Sequence, residues 1–61
     1  MDLPKILIVD DHDLSLLIQK KLWSKHFKVR VNIAKDCRQA AGLLRDNNFD
    51  LLVLDLNMPG M

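Results

Sequence analysis

Two short apolar runs, Ile6 to Val9 and Leu51 to Leu54, are each closed by an aspartate, Asp10 and Asp55. A run of this length with no polar residue at alternate positions suits a strand buried on both faces, and such strands belong to parallel sheets covered by helices on each side. Pro4 bounds the first run, and the turn residues Asn57, Pro59 and Gly60 follow the second. This feature restricts the chain to α/β architectures before anything else is considered.

The intervening residues fill in that architecture. Leu14, Leu17, Ile18 and Leu22 recur at three- and four-residue spacing, with Gln19, Lys20, Lys21 and Lys25 largely elsewhere on the wheel, which predicts an amphipathic helix. Asp11 or Asp13 can cap its start, while Lys25 and His26 complement the negative end of its dipole. From Lys28 to Ile33 the pattern alternates, Val29, Val31 and Ile33 opposing Lys28, Arg30 and Asn32, as in an edge strand. Cys37, Ala40, Ala41 and Leu44, widened by Leu43, then return to helical spacing until Asp46, Asn47 and Asn48. Gly42 within this second helix costs roughly 1 kcal/mol relative to Ala, so a close packing contact is expected there.

The expected fold is therefore α/β, a truncated doubly wound parallel sheet in the order β-α-β-α-β. The first strand is central and the alternating strand at an edge, giving strand order 2-1-3. The third strand reads as an interior strand whose outer edge nothing in the chain covers. A partner chain is expected to complete the sheet there, as a homodimer through the exposed third strand.

The length of 61 residues allows one small domain of marginal stability. Nine Lys and Arg against eight Asp and Glu leave a net charge of +1, so no whole-chain field favours nucleic acid or a membrane surface. Cys37, the single cysteine, has no partner for an internal disulfide or a thiol metal site, which fits a reducing cytoplasm. The longest apolar runs fall far below the roughly 20 residues needed to span a bilayer, and a signal peptide is not expected.

In a parallel sheet Asp10, Asp11 and Asp55 all follow strands directly and gather at the carboxyl-end rim, where open α/β sheets bind ligands. Unit charges 4 Å apart repel by about 4 kcal/mol at an effective dielectric near 20, so such a cluster implies a cation. Hard oxygen ligands without a cysteine or a histidine pair favour Mg²⁺. An isolated Asp-Asp pair would read more simply as a helix cap, and Asp55 is what tips the reading toward a metal. His12 and His26 read as solvated or capping residues, Trp23 and Phe27 as core or helix-docking residues, and Cys37 as a small apolar contact.

The runs Ile6-Leu7-Ile8-Val9-Asp10-Asp11-His12 and Asp50-Leu51-Leu52-Val53-Leu54-Asp55-Leu56-Asn57-Met58-Pro59-Gly60 resemble the signatures of response-regulator receiver domains of two-component phosphorelays. The resemblance implies that residues 1–61 are the first half of a receiver domain. It implies that Asp55 is the phosphoacceptor, taking its phosphoryl group from a sensor histidine kinase or phosphotransfer protein. Asp10, Asp11, Asp55 and the backbone carbonyl of Asn57 would hold Mg²⁺. By this reading the chain is not itself an enzyme, and it lacks the later strands that carry the remaining switch residues. The contrasting expectation is a self-associating structural fragment without phosphoryl transfer.

Overall fold

The computed structural model describes residues 3–54. Strands β1 (Lys5–Val9), β2 (Arg30–Ala34) and β3 (Leu51–Leu54) alternate with helices α1 (Asp13–His26) and α2 (Cys37–Asp46). All strand pairs are parallel and the spatial order is β2-β1-β3, as the apolar and alternating patterns predict. Among the described residues no helix is long and apolar enough to cross a membrane.

β1 carries the core because it is paired on both edges and covered on both faces. Its residues alternate between two clusters. Ile6 and Ile8 pack with Leu16 of α1, joined by Trp23, Val29, Val31 and Val53. Leu7 and Val9 pack with Ala34 and with Ala40 of α2, joined by Leu43 and Phe49. The two helices therefore cover opposite faces, and the molecule has three layers. At the amino end of the sheet, the Asp50 amide donates to the Lys5 carbonyl and the Asp50 carboxylate accepts from the Lys5 amide, both at 2.8 Å.

Three expectations about packing are corrected. Leu14, Leu17, Ile18 and Leu22 do not form the packed face of α1, being 49–69% exposed. Leu16 is the buried residue instead, with Ser15, Gln19 and Trp23 half-buried beside it. Apolar residues occupy two adjoining arcs of this helix, and only contact with Ile6 and Ile8 selects one of them. Gly42 makes no close approach, since a Cβ there would meet nothing within 4 Å. Cys37, the first residue of α2, is exposed.

Capping differs at the two helices. His12, neither Asp11 nor Asp13, occupies the N-cap position of α1 and makes no side-chain cap bond to the helix. At α2 the Asp36 carboxylate accepts from the Gln39 amide at 2.7 Å, and the Gln39 side chain accepts from the Lys35 amide at 2.9 Å, a reciprocal arrangement close to a capping box. Lys25 and His26 lie in the last turn of α1 as expected.

Candidate functional site

The acidic cluster sits where β1 gives way to α1. The Asp10 amide donates to the Ala34 carbonyl at 3.1 Å, which extends the β1–β2 pairing by one residue and pins the Asp10 backbone to the rim of the sheet. Its side chain is buried, at 7% exposure, whereas Asp11 and His12 stand at 37% and 72%.

A buried carboxylate needs hydrogen-bond donors, and Asp10 has several. Oδ2 accepts from the Ser15 hydroxyl at 2.6 Å and from Gln19 Nε2 at 3.2 Å, and Gln19 Nε2 also donates to Ser15 Oγ at 3.1 Å. Oδ1 accepts from the His12 amide at 3.0 Å. His12 Nδ1 lies 3.1 Å from Asp10 Oδ1 and 2.9 Å from Asp11 Oδ1, distances at which a protonated ring nitrogen donates to carboxylates. The hydrogen bond from Ser15, followed by that from the His12 amide, holds the Asp10 carboxyl down at about 2 against the opposing effect of burial, with the His12 side chain adding to the lowering. Asp10 is thus a fixed negative charge at neutral pH. The N-terminus of α1, which favours negative charge, begins beside it.

One ligand atom each from Asp10, Asp11 and His12 can be chosen so that all lie within 4.8 Å of one another. Two carboxylates in this arrangement fit a divalent cation that keeps several waters, as Mg²⁺ does. The imidazole nitrogen is a further donor that first-row transition ions accept more readily than Mg²⁺ does. Asp55 and Asn57 lie outside the described residues. The described part of the third strand ends at Leu54, the register partner of Val9.

The sequence reading missed Ser15 and Gln19. Their signal was present as two polar residues four apart, the first five residues after Asp10, but Gln19 was assigned to the outer face with the lysines. A separate apolar concavity of about 400 Å³ is lined by Leu22, Trp23, His26 and Phe27 at the far end of α1. The Trp23 and Phe27 rings meet there with centroids 5.1 Å apart.

Comparison with known proteins agrees with this geometry. The sequence profile of the response regulator receiver domain matches residues 6–61. Chemotaxis protein CheY of Pseudomonas aeruginosa is 44% identical over 57 residues, covering 93% of this chain and 46% of its own length. The autoinducer 2 sensor kinase/phosphatase LuxQ of Vibrio parahaemolyticus is 34% identical over 55 residues, covering 90% of this chain and 6% of its own. The chain thus spans less than half the length of either relative. No solved structure matches it at the same stringency.

Proposed function

The chain belongs to the response regulator receiver domain family, and from that membership we propose that it is a phosphoacceptor whose acceptor residue is Asp55. The observation that carries the reading is Asp10, a buried carboxylate fixed beside Asp11 at the carboxyl end of the central strand. Val9 and Leu54 are register partners, and Asp10 and Asp55 are the next residues along their respective segments.

In the proposed reaction a carboxylate oxygen of Asp55 attacks the phosphorus of a phosphohistidine. The O–P bond forms as the N–P bond breaks, and the imidazole nitrogen keeps the electron pair. The donor is a sensor histidine kinase or a phosphotransfer protein, so this chain is the acceptor rather than the enzyme. Asp10, Asp11, Asp55 and the Asn57 carbonyl would hold Mg²⁺, which when bound supplies positive charge against the phosphoryl oxygens. Asp10 contributes a charge that needs no deprotonation at neutral pH.

Intact mass spectrometry after incubation with an acyl phosphate and Mg²⁺ tests the reading. One phosphoryl adduct is expected on the parent chain and none on Asp55→Asn. An adduct that persists in the variant would overturn the acceptor assignment, and no adduct on a folded parent would overturn the activity for this chain.

A second reading, a self-associating unit, is favoured by a different observation. Among the described residues β3 pairs only with β1, and Leu51, Leu52 and Leu54 are 40–44% exposed. A second copy adding its own β3 at this edge would form a homodimer. Sedimentation equilibrium at micromolar concentration should then give twice the chain mass, reduced by Leu52→Lys; a parent that sediments as a monomer removes this reading.

A further inference from the structure

We propose that Ser15 and Gln19 are positioning residues that commit Asp10 Oδ2 to α1 and so present Oδ1, on the side of Asp11, to a divalent cation. The inference rests on the metal-site reading above and goes beyond it by assigning the coordinating oxygen and the residues that select it.

Ser15 and Gln19 lie one turn apart on the half-buried side of α1, beside Leu16 and Trp23. The Ser15 hydroxyl has one proton, and at 2.6 Å it goes to Asp10 Oδ2. Gln19 Nε2 spans the same oxygen and Ser15 Oγ, at 3.2 and 3.1 Å, so the three side chains close a triangle. A carboxylate oxygen carries two lone pairs, and both on Oδ2 are engaged by this triangle. On Oδ1 one lone pair meets the His12 amide at 3.0 Å. The other is approached at 3.1 Å by the His12 ring, whose side chain is 72% exposed, whereas the partners of Oδ2 lie on the half-buried side of α1. Oδ1 is therefore the oxygen that can turn to a cation while Oδ2 anchors the group. Hydrogen bonds from outer residues that orient a metal-binding carboxylate commonly govern its affinity.

A purely structural role for the triangle would affect stability and leave ion binding by the folded chain unchanged. The test therefore reads two quantities on the full chain. The first is affinity for Mn²⁺ alone, from the free-ion electron paramagnetic resonance signal, with Mg²⁺ competition. The second, in metal-free buffer, is the set of three-bond couplings to Asp10 Cγ that report its side-chain rotamer. Ser15→Ala should weaken Mn²⁺ binding by about tenfold or more and average the couplings. Ser15→Thr, which keeps the hydroxyl, should restore both readouts. Ser24→Ala, on the exposed side of the same helix, should match the parent.

If Ser15→Ala does not fold, Gln19→Leu is judged by the same two readouts. Parent-like affinity with a single Asp10 rotamer in the folded variants overturns this inference alone. A parent that binds no Mn²⁺ overturns the metal-site reading and this inference with it.

Discussion

At the residue scale, Asp10 concentrates the chemistry of the described chain. Its carboxyl is lowered from 3.8 to about 2, first by Ser15 and then by the His12 amide. A group whose folded value is depressed takes up fewer protons than its unfolded counterpart between those two values, so folding gains from it above pH about 4 and loses that gain as pH falls toward 2. In chelator-treated buffer the urea midpoint should decline across that window, and Asp10→Asn should flatten the decline. A variant as steep as the parent would assign the effect to other carboxylates. The position of Asp10 was legible in the sequence, because an aspartate closing an apolar run falls at the end of a buried strand. Its donors were not, since Ser15 and Gln19 qualify only once α1 is rotated onto the sheet.

At the element scale, α2 gives two opposing tests. Asp36 satisfies the Gln39 amide at the helix start, so Asp36→Ala should cost about 1 kcal/mol. Gly42 has open space where a Cβ would stand and lies inside the helix, so Gly42→Ala should stabilise by about 0.5–1 kcal/mol. Urea denaturation of each variant checks both signs; a destabilising Gly42→Ala would mean that the glycine serves a contact after all. The Asp36-Cys37-Arg38-Gln39 segment carries a capping signal that the sequence reading passed over, whereas the openness around Gly42 depends on what packs near it. The edge position of β2 was legible from its alternation, although Val31 packs toward α1 and Ala34 toward α2, so that both of its faces are covered.

At the scale of the whole molecule, a single strand joins two cores. Leu7 is fully buried, while Leu44 on α2 is 44% exposed. Leu7→Ala should cost roughly 2–5 kcal/mol, comparable with the roughly 3–5 kcal/mol that one core supplies in a domain this small, so the variant should lose its cooperative thermal transition by circular dichroism. Leu44→Ala should keep it, because surface substitutions usually shift stability by no more than about 0.5 kcal/mol. Equal losses would mean that the face carrying Leu44 is covered in solution. The central place of β1, the three layers and the position of Asp10 and Asp11 at its carboxyl end were legible in the sequence, since an apolar run buried on both faces suits a strand with a helix on each side. Which arc of α1 meets the sheet, and therefore that Ser15 and Gln19 reach Asp10, came from packing. Periodicity sets the angles between residues on a helix but not the helix's rotation about its own axis; burial of Leu16 and the hydrogen-bonding demand of a buried carboxylate set that.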